Sequence, residues 1–249
     1  MRLTSDVVMV GGGPVTGFGL SSDFDAHVYL LDGGDAHALV DCGMGTEAGM
    51  ERVLARIDAA GIDPGGIGSL FLTHFHTDHA GGAARYRERL GLEVAIGRVA
   101  RPALERGDHA ATAFAAATDA GLFPAGYDYP PCPVADPLDD GDVRTVGRLT
   151  VRYLATPGHC LGHGSYLVTG GELPYLLAGD AVFAQGKLFL QATSDCDIAA
   201  SIASLRRLDE EEFTALLPGH GAIALTGGRD HLGQALAAVD QLRLPGNVF

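Results

Sequence analysis

The stretch 70–82, with the sequence LFLTHFHTDHAGG, constrains this chain more than any other feature. It places His74, His76, Asp78 and His79 close together, directly after a short apolar run. Imidazole and carboxylate groups at the end of a buried strand are costly to desolvate unless a strongly bound partner compensates them, and a divalent metal ion is such a partner. In an extended chain alternate residues point the same way, so His74 and His76 can converge on one metal. Asp78 and His79 then lie across a turn and can face a second position nearby.

Three further residues of metal-ligand type stand alone in the second half of the chain. They are His159 in TPGH, Asp180 in AGD and His220 in LLPGH, and each follows a predicted strand and a glycine. Glycine lets the backbone turn sharply, so the next side chain can project into a shared crevice. Taken singly, each of these segments is as compatible with an ordinary turn as with a metal-ligand role. Together with the first motif, the three residues predict one site built from both halves of the chain.

Hydrophobic patterning predicts a mixed α/β chain. Short apolar or alternating runs predict strands at 5–10, 27–31, 36–41, 67–72, 94–96, 143–146, 149–154, 165–168, 175–178 and 213–217. Capping residues and apolar spacing predict helices from Thr46 to Gly61, at 80–90, in the alanine-rich stretch 110–120, after Asp197, and at 229–244. The histidine motif therefore lies at the carboxyl end of a strand, where α/β sheets bind ligands.

The order of these elements predicts a single domain, residues 1–249, made of two similar α/β halves. The stretch 98–133 is less regular and rich in alanine and proline. It is too apolar for a linker, so we interpret it as an insertion that forms a lid over the site or an interface.

Charge and composition narrow the choice of partners. The chain of 249 residues has a net charge of −14, and Lys187 is its only lysine. Such acidity disfavours nucleic acids, because their binding depends on Lys and Arg at the phosphates. No apolar run approaches the roughly 20 residues of a membrane span, and the first residues do not resemble a signal peptide. The cysteines are scattered without the spacing of a zinc ribbon or disulfide framework: Cys42, Cys132, Cys160 and Cys196. We therefore expect a cytoplasmic protein that acts on a small molecule, away from membranes.

The motifs THFHTDH at 73–79, TPGH at 156–159, GD at 179–180 and PGH at 218–220 resemble those of the metallo-β-lactamase-fold superfamily. The resemblance covers nearly the whole chain, with the motifs in the family's order. It implies an α/β fold of the αββα four-layer sandwich type. It also implies two metal ions: the residues matching His74, His76 and His159 hold one, those matching Asp78, His79 and His220 hold the other, and Asp180 bridges both. Asp41, in LVDCG, matches a family aspartate that supports a ligand histidine.

The remaining candidates are expected to lie outside the ligand set. His163 matches the second histidine of the pattern Thr-Pro-Gly-His-x-x-Gly-His, which in glyoxalase II-like and lactonase-like members is not a ligand. Cys160 adjoins His159 and is expected to point the other way. Four histidines have no motif around them: His27, His37, His109 and His231.

Two divalent metals about 3.5–4 Å apart share a water of lowered pKa and polarise a carbonyl or phosphoryl oxygen. We therefore predict hydrolysis by a metal-bridging hydroxide, with Asp78 and Asp180 as catalytic residues. Asp78 or a metal-bound water would protonate the leaving group. Zinc suits this ligand set, although iron or manganese would also bind.

The substrate is less constrained. A class B3-like β-lactamase is disfavoured because those enzymes lack the bridging aspartate that Asp180 supplies, and RNase Z-like activity conflicts with the acidic charge. Thioester hydrolysis resembling that of glyoxalase II requires basic groups that bind the glutathione carboxylates, and this chain has few of them. Lactone hydrolysis resembling acyl-homoserine lactonases often uses a tyrosine where this chain has Phe183. We therefore predict cleavage of an ester, lactone or thioester of a fairly apolar acyl group.

The alternatives that stay open are a mononuclear iron, oxygen-handling member of the family and a non-hydrolytic metal-binding protein. β-Lactam or phosphodiester hydrolysis is a further alternative.

Overall fold

Two β-sheets run through the protein, which is described by a computed structural model of residues 1–14, 17–112, 114–119, 121 and 126–248. The first sheet contains β1 (Val7–Gly11), β2 (Val28–Asp32), β3 (His37–Val40), β4 (Ile67–Leu72), β5 (Glu93–Gly97) and β6 (Asp136–Leu138), paired in that order. The second contains β7 (Val143–Val146), β8 (Leu149–Ala155), β9 (Gly164–Thr169), β10 (Tyr175–Gly179) and β11 (Ala215–Pro218). Its spatial order runs from β11 through β10, β9 and β8 to β7.

Each sheet combines antiparallel and parallel pairs. In the first, β1 to β3 are antiparallel and β3 to β6 are parallel. In the second, β7 to β10 are antiparallel and β10 is parallel to β11. β4 in the first sheet, and β10 and β11 in the second, are parallel strands whose carboxyl ends are followed by the polar motifs. Carboxyl ends from both sheets are therefore available to one site.

Seven α-helices occur in the described residues: α1 (Glu47–Ala59), α2 (Thr77–Ala80), α3 (Ala83–Leu90), α4 (Arg101–Arg106), α5 (Phe114–Asp119), α6 (Ile198–Asp209) and α7 (Gly228–Asp240). Thr46 caps α1 by accepting a hydrogen bond from the Gly49 N–H, and Asp197 caps α6 by accepting one from the Ala200 N–H. Both caps confirm the sequence prediction. None of the described helices is both long and apolar enough to cross a membrane.

Three apolar cores separate four layers. Alternate residues of β1 show the division: Val7 and Met9 pack between the two sheets, whereas Val8 and Val10 pack against the first helical layer. That layer contributes Val53, Ile57 and Tyr86 from α1 and α3. On the far side of the second sheet, α6 and α7 contribute Leu205, Leu208 and Leu232. This arrangement is the predicted αββα sandwich.

The structure differs from the predicted elements in a few places. The helix expected at 80–90 begins only at Ala83, and Ala80 belongs to the preceding short helix α2. Gly81 and Gly82 separate the two helices, and the Gly82 N–H donates to the Gly43 carbonyl at 2.9 Å. A side chain at Gly45 would overlap the backbone of Gly82, so this close approach of two loops requires glycine. The edge strand β6 was not expected, since it is short and contains Pro137. The last helix ends at Asp240 rather than at 244.

The stretch 98–133 contains α4 and α5, so part of the alanine-rich segment is helical as predicted. Ala113, Ala120 and Pro124 lie outside the described residues. The stretch packs on the first helical layer through the buried side chains of Leu104 and Tyr129. The Tyr129 hydroxyl donates to the Phe75 carbonyl at 2.9 Å, which attaches the stretch directly to the histidine motif.

Candidate metal centre

Four of the predicted ligands lie where β4 gives way to α2. His74 comes just after the strand, and His76 is the residue before the helix, with extended backbone angles (φ −61°, ψ 150°). The single turn of α2 then carries Asp78 and His79. This short reversal lets the four side chains face one place although they are close in sequence.

The other three predicted ligands follow β8, β10 and β11 of the second sheet. His159, Asp180 and His220 are each buried and each comes directly after a glycine. At Gly219 the glycine is required, because a Cβ there would overlap the Asp180 carboxylate and the His79 ring. The backbone of this turn therefore forms part of the wall of the site.

His74, His76 and His159 form the first group of donors. Their imidazole ring centroids are separated by 4.6 Å (His74–His76), 5.0 Å (His74–His159) and 4.8 Å (His76–His159). One donor atom from each residue lies within 4.8 Å of the others, so a single ion can reach all three. The three residues come from both sheets, which the fold brings together here.

Asp78, His79 and His220 form the second group. His220 Nε2 lies 3.2 Å from Asp78 Oδ2 and 3.3 Å from His79 Nε2. His79 Nε2 lies 3.7 Å from the same Asp78 oxygen. One donor atom of each residue again lies within 4.8 Å of the other two.

The Asp180 carboxylate lies between the two groups. Its Oδ2 is 3.5 Å from His159 Nε2 of the first group and 3.4 Å from His220 Nε2 of the second. Its Oδ1 is 3.4 Å from His79 Nε2. Asp180 can therefore offer one oxygen to an ion in either group. The structure thus brings together all seven residues that the sequence predicted as ligands.

A second ring of contacts orients the ligands. Asp41 Oδ2 lies 2.8 Å from His79 Nδ1, and Asp41 also accepts hydrogen bonds from the Thr73 N–H and hydroxyl. The His159 Nδ1–H donates to the Phe189 carbonyl at 2.9 Å. Each of these partners holds a proton on Nδ1 and directs the Nε2 lone pair into the site.

His163 has a positioning role that the sequence did not reveal. Its Nδ1 lies 3.1 Å from the Thr156 carbonyl, and its Nε2 accepts the Asp180 backbone N–H at 2.9 Å. Burial, followed by the nearby charge of His159, lowers the pKa of His163 to about 3. The ring is therefore neutral at physiological pH, which is the state that can accept the Asp180 N–H. A side chain at Gly179 would collide with this ring.

The donor set fits divalent cations. Among the described residues, His74 Nε2 and Asp180 Oδ1 are buried without a hydrogen-bond partner, and His76 Nδ1 faces His159 Nε2 at 2.9 Å. Buried polar atoms without partners are costly, and lone pairs that converge on one place need a cation. The Gln191 side-chain amide lies 2.9 Å from His159 Nε2, so an ion bound to that nitrogen would displace the amide.

Without a cation, protons stabilise the second group. Burial opposes a charge on His220, but Asp180 and Asp78 outweigh it and raise the pKa of His220 to about 9. The same carboxylates raise the pKa of His79 well above its ordinary value. Burial likewise opposes ionisation of Asp78, but His79 and His220 lower its pKa to about 2. Metal binding at neutral pH must therefore release protons from the histidines.

Two residues outside the predicted ligand set also adjoin the centre. Cys160 and Asp195 each place a donor atom within 4.8 Å of a His76 nitrogen. Burial raises the pKa of the Cys160 thiol well above its ordinary value, so the thiol stays protonated and is a poor ligand. Asp195 follows no strand and no motif, so no sequence signal could have found it.

The four histidines expected to be non-ligands stay outside every donor group in the described part of the chain: His27, His37, His109 and His231. His27 is the nearest, with its ring 6.4 Å from that of His220. Its Nδ1 lies 3.0 Å from the Pro218 carbonyl, which gives the ring a structural role in the turn before His220.

Replacing Asp41 with asparagine is expected to lower metal affinity at the second group about 10–100-fold, because His79 loses the carboxylate that orients it. The asparagine would keep the side-chain shape and tolerate the positive φ of 57° found at this position. Zinc titration by calorimetry measures the effect. Asp139→Asn is the matched control, since Asp139 pairs with Arg98 at the surface. Equal zinc affinities in the two variants would show that Asp41 does not support the centre.

Comparison with known proteins gives a consistent family match. Residues 22–220 match the family model of the metallo-beta-lactamase superfamily. A hydroxyacylglutathione hydrolase of Cupriavidus taiwanensis is 31% identical over 89% of this chain and 77% of its own length. An atrochrysone carboxyl ACP thioesterase of Aspergillus fumigatus is 28% identical over 79% of this chain and 51% of its own length. A hydroxyacylglutathione hydrolase of Acidiphilium cryptum is 29% identical over 79% of this chain and 64% of its own length. The chain thus spans between about half and three quarters of these relatives.

Solved structures match the fold over almost the whole chain. A metallo-beta-lactamase of Cronobacter sakazakii, in a HARLDQ motif mutant form, has a TM-score of 0.73 at 22% identity and covers 97% of this chain and 95% of its own. A metallo-beta-lactamase family protein of Thermus thermophilus has a TM-score of 0.72 at 24% identity, covering 97% and 81%. At these identities the likeness supports the fold alone.

Proposed function

This chain belongs to the metallo-beta-lactamase superfamily, and we propose that within it the protein is a dinuclear metal-dependent hydrolase of thioesters or related carboxylic esters and lactones. The position of Asp180 carries the proposal. Its two oxygens lie within 3.5 Å of nitrogens from both donor groups, an arrangement suited to bridging two ions. Two bound divalent ions would supply a hydroxide nucleophile at neutral pH and polarise the acyl carbonyl.

Each donor group would hold one of these ions. His74, His76 and His159 would hold the first, and Asp78, His79 and His220 the second, with Asp180 shared. Asp78 is the most exposed member, with a side chain 27% accessible against 1% for Asp180. It therefore marks the side from which a substrate approaches. Because its pKa is about 2, Asp78 is ionised at neutral pH. That state suits a ligand better than a proton donor, which leaves water to protonate the leaving group.

Thioesters are the favoured substrate class. The relatives of Cupriavidus, Aspergillus and Acidiphilium are named as hydroxyacylglutathione hydrolases and a thioesterase. The residue three positions after Asp180 is Phe183, which is buried and offers no hydroxyl for a lactone. Its ring instead stacks on His220 at 6.3 Å between centroids.

The test is a substrate panel on protein of measured metal content. Thioesters, lactones, phosphodiesters and β-lactams are assayed beside elemental analysis of the same preparation. We expect two zinc ions per chain and fastest turnover on thioesters or esters. One iron per chain with oxygen uptake, or turnover of β-lactams or phosphodiesters alone, would contradict the proposal.

A further inference from the structure

A cavity of about 580 Å³ lies beside the metal centre, on the side of the stretch 98–133. This volume is within the range of about 300–1,000 Å³ that small-molecule sites occupy. Its walls come from four places in the chain. They include Phe75, Val99, Pro102, Ala111, Leu161 and Asp195.

Two lining residues of the cavity, Phe75 and Asp195, lie next to His76 of the first donor group. Phe75 stands between two predicted ligands in the chain, and its ring meets the His76 ring edge-on at 5.6 Å between centroids. Asp195, another lining residue, places a carboxylate oxygen within 4.8 Å of a His76 nitrogen. A molecule in the cavity would therefore lie against side chains that adjoin His76, one of the residues that could hold the first ion.

The rim of the cavity exposes large apolar side chains. Val99 is 63% exposed and Leu161 is 66% exposed. A second cavity, of about 510 Å³, shares Leu161 with the first and is bordered by Ile198, which is 42% exposed. Single exposed apolar residues are ordinary, but three around adjoining cavities form a patch that marks a binding surface.

The charges of the lining disfavour an anionic ligand. The one cationic lining residue of the larger cavity, Arg106, is paired with Asp108 at 3.3 Å. Asp195 adds a further carboxylate, and the described lining residues include no second cation that could pair with it. The apolar walls and this negative balance together favour an uncharged hydrocarbon.

We propose that the larger cavity binds the hydrocarbon chain of an acyl ester or thioester, running from the metal centre past Phe75 towards Leu161 and Val99. The inference rests on the proposed function and narrows its substrate class to apolar acyl groups longer than acetyl. Burial of each added methylene in such a site favours the longer substrate by up to about fourfold.

The test is a chain-length series, from acetyl to decanoyl, of p-nitrophenyl esters and matching thioesters on the zinc-loaded protein. We expect kcat/KM to rise at least about tenfold along the series, because several methylenes enter the cavity. Leu161→Asp should abolish most of this rise. Leu242→Asp is the matched control, since Leu242 is 97% exposed and lies outside both cavities' linings. It should keep the full wild-type profile.

Failure of the inference differs from failure of the proposed function. Ester turnover that does not depend on chain length, or that Leu161→Asp and Leu242→Asp alter equally, overturns the cavity assignment and leaves the hydrolase intact. If zinc-loaded protein cleaves no ester, binding of the uncharged decan-1-ol by calorimetry still tests the cavity, and loss of that binding in Leu161→Asp but not in Leu242→Asp supports it. A change of oligomeric state in Leu161→Asp with an unaltered chain-length profile identifies the patch as an interface and overturns the proposal.

Discussion

Asp180→Asn is expected to lower kcat at least about 100-fold and to reduce bound metal from two ions per chain to one. Loss of a residue that only orients a metal ligand lowers affinity or activity about 10–100-fold. Loss of a ligand that two ions share should lower them further. Asparagine keeps the shape of the side chain but removes the negative charge that two cations would share. It also leaves the backbone N–H of residue 180 free to donate to His163, so the turn should persist. Elemental analysis and steady-state kinetics on one preparation measure both effects.

Asp140→Asn, at a half-exposed carboxylate whose nearest cationic partner is 4.0 Å away, is the matched control for the same chemical change. It should bind two ions and turn over at the wild-type rate. If Asp180→Asn also keeps full metal content and rate, Asp180 does not bridge the two groups and the dinuclear proposal is wrong.

Removal of metal is expected to abolish hydrolysis and to lower the melting temperature by at least about 5 °C. An ion at 100 times its dissociation constant stabilises the folded state by about 2.7 kcal/mol. For a domain of this size each kcal/mol corresponds to about 2–4 °C. Differential scanning fluorimetry, before and after dialysis against a chelator, measures the shift, and added zinc should restore both stability and activity. A stripped protein that retains turnover would exclude metal-dependent catalysis.

When the same experiment is repeated at several pH values, the difference in melting temperature between loaded and stripped protein should widen as the pH rises. In the stripped protein the pKa of His220 is raised to about 9, above the ordinary value of 6.5. Its contribution to folding stability is therefore complete below pH 6.5 and disappears as the pH rises through 9. Histidines of lowered pKa, such as His76 at about 3, are neutral in the folded state across this window. In the unfolded state they are almost fully neutral above about pH 7.5, so they add little slope over the upper part of the window. In the loaded protein deprotonation helps metal binding.

The difference in melting temperature between loaded and stripped protein should therefore grow from pH 6.5 to 9. A difference that stays constant over this range would mean that metal binding displaces no proton from the second donor group. Calorimetry of zinc binding in buffers of different ionisation enthalpy counts the released protons directly.

Local sequence signals were sufficient for most of the secondary structure. The caps at Thr46 and Asp197 and the strand before the histidine motif depend on neighbours a few residues away, so they could be read from the chain. The break at Gly82 could not be predicted, because Gly82 accommodates the loop around Gly45, which is distant in sequence. The short strand β6 exists because it pairs with β5, and its own three residues have no strong preference.

By itself the sequence determined which residue types could hold metal, because histidine and aspartate after a strand and a glycine turn are local patterns. Only the tertiary structure decided which of them meet. His79 and His220 are 141 residues apart, and their nitrogens lie 3.3 Å from each other only because two sheets pack face to face with their carboxyl ends on one side. The contact of His163 with the Asp180 backbone and the cavity between Phe75 and Leu161 arise in the same way. Such contacts depend on strand order, register and layer packing, and these are properties of the whole chain rather than of any segment.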